Sequence, residues 1–134
     1  MKEISVYVAG PLYSSGDLVN NTRAAIDAAQ KLEQAKLEGV VFRPFVPHVY
    51  VQTWQLVYQR AHELAQEWDD YWLRKCDLML RLPGLSVGSD HEEGIAVRHN
   101  IPVFYTINAV LCYARFSEAV AAYRKARAAA FVVR

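Results

Sequence analysis

The side chains best suited to chemistry lie between Leu82 and Ala96, in LPGLSVGSDHEEGIA. Ser86, Ser89, Asp90, His91, Glu92 and Glu93 bring hydroxyls, an imidazole and three carboxyls close together. A carboxylate facing a bound ligand can attack or shield an electrophilic carbon, and a second acid can protonate what leaves. Spacing alone favours a simpler account, in which Ser89 caps a helix and Glu92 is its capping-box partner three residues on. That account leaves the small residues Ser86, Gly88 and Ser89 unexplained. They keep the helix entrance open, so a carboxylate in the first turn could face a ligand.

The elements around this stretch would position it. Cys76 to Leu82 is a short apolar segment of strand length, and Gly94 to His99 reads as helix. Between them Pro83, Gly84, Ser86, Gly88 and Ser89 are residues of a strand-to-helix turn. In an α/β protein that turn lies at the carboxyl end of a strand, where open parallel sheets bind ligands. Glu93 is turned ~100° around the helix from Glu92 and should face elsewhere.

The rest of the chain supplies the frame. Glu3 to Ala9 reads as a first strand, ended by Gly10-Pro11. Tyr7 would ordinarily pack in the core; the alternative is that its hydroxyl meets a carboxylate at the sheet's carboxyl edge. Leu12 to Asp17 is a loop whose Ser14 and Ser15 suit an anion or a ribose, although no phosphate-loop lysine follows. Asn20, Asn21 or Thr22 can cap a helix running to about Glu38, with Gly39 as its stop. Val40 to Phe45 is a second strand, parallel to the first. A loop from Val46 to Val57 carries His48, Tyr50 and Trp54. Tyr50 or Trp54 could wall a nucleobase, whereas His48 reads as a satisfied structural histidine.

A helix from Gln55 continues through Leu73, with Asp69 and Asp70 on different sides. Asp77–Leu82 and Ile101–Thr106 are strands, joined by a helix over Asp90–Asn100. Ser117 opens a last helix to about Ala128. The apolar tail at Phe131–Val133 is expected to dock as an edge strand or against another subunit. The fold class is therefore α/β: one domain over residues 1–134, with a doubly wound, flavodoxin/Rossmann-like parallel sheet of four to five strands and helices on both faces.

Composition bounds the function. A chain of 134 residues that is 53% apolar and 22% charged suits a single packed core. A net charge of +1 without a long basic run argues against a nucleic-acid polymer as partner. No apolar run approaches the ~20 residues of a membrane span, and the N-terminus lacks a signal-peptide pattern, so a cytoplasmic location is expected. Cys76 and Cys112 have no metal-ligand spacing and read as buried, reduced thiols.

Several motifs now combine. YVAGP at Tyr7–Pro11, the Asp69–Asp77 spacing ending in Cys76-Asp77, LPG at Leu82–Gly84, and S-x-G-x-x-x-E-x-x-x-A from Ser86 to Ala96 resemble the nucleoside 2-deoxyribosyltransferase superfamily. That superfamily includes the 2′-deoxynucleoside 5′-phosphate N-hydrolases. The resemblance spans roughly residues 4 to 105. It implies Glu92 as nucleophile, Tyr7 as the residue that positions it, and Asp69 as the acid assisting the leaving base. It implies 5′-phosphate contacts in the loop of Ser14 and Ser15, and a homodimer or higher homo-oligomer. The candidate substrate-binding set is Gly10, Pro11, Ser14, Ser15, His48, Trp54, Ser86, Gly88 and Ser89. The chemistry would be N-glycosidic cleavage, or deoxyribosyl transfer, on a nucleoside or nucleoside 5′-monophosphate, and it requires neither a metal nor an organic cofactor. His91-Glu92-Glu93 departs from the family in being bulkier and more charged. A non-catalytic nucleotide-binding module of the same fold is the rival, and a flavodoxin-like redox domain a third reading.

Overall fold

The computed structural model describes residues 1–13, 16–55 and 61–132, with side chains described except at 52–55, 61, 62, 117–120, 131 and 132. The chain forms β1 (Lys2–Ala9), α1 (Leu18–Gln34), β2 (Val40–Phe45), α2 (Pro47–Gln55) and α3 (Ala61–Leu73). It continues through β3 (Leu78–Arg81), α4 (Val87–Arg98), β4 (Val103–Phe104), α5 (Ile107–Arg115) and α6 (Ser117–Val132). The sheet is parallel throughout, in the order β2-β1-β3-β4. The chain steps from β1 outward to β2, then crosses back to β3 and β4. That reversal is the doubly wound pattern, and it opens a crevice at the carboxyl ends of β1 and β3.

Right-handed crossovers put the helices of the two winding directions on opposite faces. Alternate residues of the central strands serve the two faces. Ile4, Val6, Val8, Leu78 and Leu80 pack with Ala25, Ala28 and Leu32 of α1 and Val110 and Ala114 of α5. Tyr7, Ala9 and Met79 pack with Leu73 of α3 and Ile95 and Ala96 of α4. Strands buried on both faces must be apolar at nearly every position, which explains the run ISVYVA in β1.

Several boundaries differ from expectation. α1 starts at Leu18, because the Asp17 carboxylate accepts from the Asn20 backbone N–H and caps the helix three residues earlier. It ends at Gln34. Gly39, at φ +74°, instead turns the chain into β2, where its carbonyl accepts from Lys2 N–H at 2.7 Å. The expected loop after β2 holds the helix α2. Pro47 opens it, at a position where a missing N–H costs nothing. β4 is only two residues long, since Tyr105 is exposed and Thr106 caps α5, a helix the sequence reading did not foresee. α6 runs to Val132, so Phe131 and Val132 are helical rather than an edge strand. Cys76 is buried as expected, but Cys112 is exposed.

α6 is tied to the amino end of the sheet. Arg124 donates to both oxygens of Asp77 and to the Glu3 carbonyl. The Asp77 carboxylate also accepts from Ser5 N–H at 2.8 Å and from the Ser5 hydroxyl at 3.1 Å. Arg127 donates to the carbonyls of Arg74 and Cys76. Among the described residues no helix is long and apolar enough to cross a membrane.

Candidate active site

A cavity of about 450 Å³ lies at the carboxyl end of the sheet. Ligand sites commonly span ~300–1,000 Å³. Its walls come from the loop after β1 (Gly10, Leu12, Tyr13), from α2 (His48, Val51), from α3 (Ala65, Gln66, Asp69, Asp70) and from the start of α4 (Ser86 to Ser89, His91, Glu92).

The helix entrance is built differently from the capping-box expectation. Ser86, not Ser89, is the N-cap: its backbone is extended and its Oγ accepts from Ser89 N–H at 3.0 Å. Two serines three apart competed for the role, and the one nearer β3 takes it. Ser89 is thus the third helical residue, and its buried Oγ has no partner among the described residues. Glu92 lies in the second turn and is not needed by the cap. Gly88 borders open space, since an added Cβ there would have no heavy atom nearer than Ser86 Oγ at 3.9 Å.

Glu92 is 9% exposed, and the Tyr7 hydroxyl donates to its Oε2. Tyr7 reaches it because odd-numbered residues of β1 face α4. The phenol is fully buried and stacks on Phe45, with ring centroids 5.7 Å apart. Burial, and then the Glu92 charge, hold the Tyr7 hydroxyl well above its ordinary value, so it remains a donor. Burial raises the Glu92 carboxyl to about 7. The Tyr7 hydrogen bond, His91 and Arg81 pull that value down, while Asp70 pushes it up.

Burial raises Asp69 further, to about 8, helped by the charges of Glu92 and Asp70. Its Oδ1 is buried without a partner among the described residues. The difference between the two acids has a physical cause. A phenol donates to Glu92, and Asp69 Oδ1 has no such donor among the described residues. The hydrogen bond favours the charge on Glu92, and a charge there favours the protonated form of Asp69. Two neighbouring carboxyls pushed apart in this way can act as carboxylate and acid at the same pH.

The remaining candidates divide. Gly10, His48, Ser86, Gly88 and Ser89 all line the cavity. Gly10 is also a packing position, because a Cβ there would sit 3.1 Å from Leu82 Cβ. Pro11 stands behind the wall. Its ring abuts Gly84, where φ is +120° and an added Cβ would come within 2.7 Å of Pro11 Cγ. His48 lies 3.2 Å through Nε2 from the Pro11 carbonyl, an acceptor, so Nε2 carries the proton. Burial lowers the His48 pKa, against the pull of the Pro11 and Gly10 carbonyls. It is a neutral tie between α2 and the β1 loop as well as a wall residue. Ser14 and Ser15 lie outside the described residues, as does the side chain of Trp54. Tyr50 is no cavity wall; its ring packs against Phe45 and Trp68 in an aromatic cluster with Trp72.

Glu93 faces away, as the helical turn requires, and engages Arg81 and Tyr105. Asp69 and Asp70 both reach the cavity, although adjacent helical residues were expected on different sides. Asp70 is held by His91, with Nε2 and Oδ2 3.0 Å apart. That pair was missed. Its only sequence signal is that each member sits beside a candidate, Asp70 after Asp69 and His91 before Glu92. Among the described residues no group of three or more His, Cys, Asp or Glu side chains is arranged to hold a metal ion. No family model, curated protein or solved structure matches the chain.

Proposed function

We propose that this chain cleaves the N-glycosidic bond of a nucleoside or nucleoside 5′-monophosphate, releasing the base or passing the sugar to another base. One observation carries the reading: a buried carboxyl on the cavity wall, held by a phenol, shares that cavity with a second carboxyl whose burial favours its protonated form. The sequence resemblance to deoxyribosyltransferases supports it independently.

N-glycosidic cleavage passes through a sugar cation, as O-glycosidic cleavage does. Glu92, ionised, attacks the anomeric carbon, with Tyr7 fixing its orientation and spreading its charge. Asp69 gives its proton to the departing base, so the base leaves neutral. Glu92 must be ionised and Asp69 protonated, and activity therefore peaks between their two values, near pH 7 to 8. The open start of α4, with Ser86, Gly88 and Ser89, suits the sugar or its phosphate. A homodimer working in the cytoplasm completes this reading.

Incubation with a panel of deoxynucleosides and their monophosphates, followed by chromatography of free base, tests it. Release by the wild type and none by Glu92→Ala supports the enzyme. Binding without release from any member overturns it in favour of the nucleotide-binding module. That rival would be favoured by a lost Tyr7–Glu92 contact, and the contact is present. Absence of colour on purification would dismiss the flavin-binding alternative.

A further inference from the structure

One polar pair on the cavity wall has no task in the scheme above. His91 on α4 and Asp70 on α3 meet through Nε2 and Oδ2 at 3.0 Å, and both line the cavity. The second carboxyl oxygen, Oδ1, is buried without a partner among the described residues. A carboxylate beside one ring nitrogen selects the tautomer with its proton there, which leaves the lone pair on the other nitrogen. Nδ1 is thus the basic nitrogen of His91. The side chain is 37% exposed, so water can reach it. His91 also acts electrostatically on Glu92.

We propose that Asp70 and His91 form the general base of the second half-reaction, taking a proton from the water that frees the sugar from Glu92. This rests on the glycosidase reading. Water oxygen bonds to the anomeric carbon as the bond from that carbon to the Glu92 carboxyl breaks. The electron pair of the broken bond returns to Glu92. The water proton passes to His91 Nδ1, the Asp70 carboxylate stabilises the imidazolium, and the proton then returns through solvent to Asp69, which the departed base left ionised. A returning nucleobase has no need of this pair, because reversal of the first half-reaction gives its proton back to Asp69. The pair therefore assigns water as the acceptor and makes the enzyme a hydrolase.

The discriminating measurement compares two rates on the same preparation. Hydrolysis is followed as net free base, and base exchange as uptake of labelled free base into the parent nucleotide. With each variant assayed at its own pH optimum, which absorbs the influence of this pair on Glu92 ionisation, His91→Gln should slow hydrolysis about 10²-fold and exchange far less, and Asp70→Asn should shift the ratio in the same direction. Retained exchange also reports an intact fold. Equal losses of both rates in both variants, or unchanged hydrolysis in His91→Gln, overturns the assignment. A wild type that exchanges but does not hydrolyse also overturns it and leaves the glycosidic chemistry standing. A wild type that does neither removes the proposed function, and this assignment with it.

Discussion

The two ends of the sheet treat buried and half-buried carboxyl groups in opposite ways. At the amino end, Asp77 is met by the guanidinium of Arg124 and by the backbone and hydroxyl of Ser5. At the carboxyl end, Glu92 has a neutral phenol and Asp69 Oδ1 has no partner among the described residues. The first arrangement holds a charge in place and joins α6 to β1 and β3. The second leaves acids in surroundings that resist ionisation, which a fold would avoid if stability were its only constraint. β1 contributes to both ends, through Ser5 and through Tyr7.

Removing the attacking group should have the largest effect. Glu92→Gln is expected to lower base release by at least ~10³-fold, with an unchanged far-ultraviolet dichroism spectrum. Asp69→Asn should cost ~10²–10⁴-fold in kcat, and the alkaline limb of the pH–rate profile should vanish with it. Tyr7→Phe removes one hydrogen bond to a charged group, typically ~1.5–3 kcal/mol, so a ~10–100-fold loss is expected. Its acid limb should move to higher pH, because the hydroxyl no longer helps Glu92 ionise.

Stability should invert the contrast. Asp69 and Glu92 hold their protons more tightly folded than unfolded. Their contribution is fully present below about pH 4, the ordinary carboxyl value, and is lost as pH rises through about 7 and about 8. Wild-type Tm should therefore fall across that range, and Asp69→Asn should flatten the fall. A Tm independent of pH in the wild type would erase the distinction between the two ends. At the amino end, Arg124→Ala should cost ~1–3 kcal/mol in denaturant melts by leaving Asp77 underpaired. Below its melting temperature it should release base at the wild-type rate.

The central layers were legible because a doubly buried strand admits little but apolar residues. ISVYVA, VVFRPF and LMLR announced three of the four strands within a residue or so. Glu92, Asp69 and Tyr7 were picked out, and the fold brings them to one place. What the sequence hid was settled by competition among equivalent residues. Asp17 outcompeted Asn20, Asn21 and Thr22 for one cap, and Ser86 outcompeted Ser89 for another. Pro47 fell inside the expected loop over Val46–Val57, yet proline serves equally well as a helix start. The His91–Asp70 contact joins residues 21 positions apart on two helices, and no local pattern encodes it. The aromatic residues after β2 suggested a base-stacking wall, but Tyr50 packs into a ring cluster with Phe45 and Trp68.

That cluster has an optical consequence. Trp72 stacks on Phe45, and Phe45 on Tyr7, with centroids 5.8 and 5.7 Å apart. An indole thus stands one ring away from the phenol that senses the charge on Glu92. Titrating a nucleotide into the unlabelled protein should shift tryptophan emission, and Trp72→Phe should diminish that shift, giving the cavity its own indicator of occupancy.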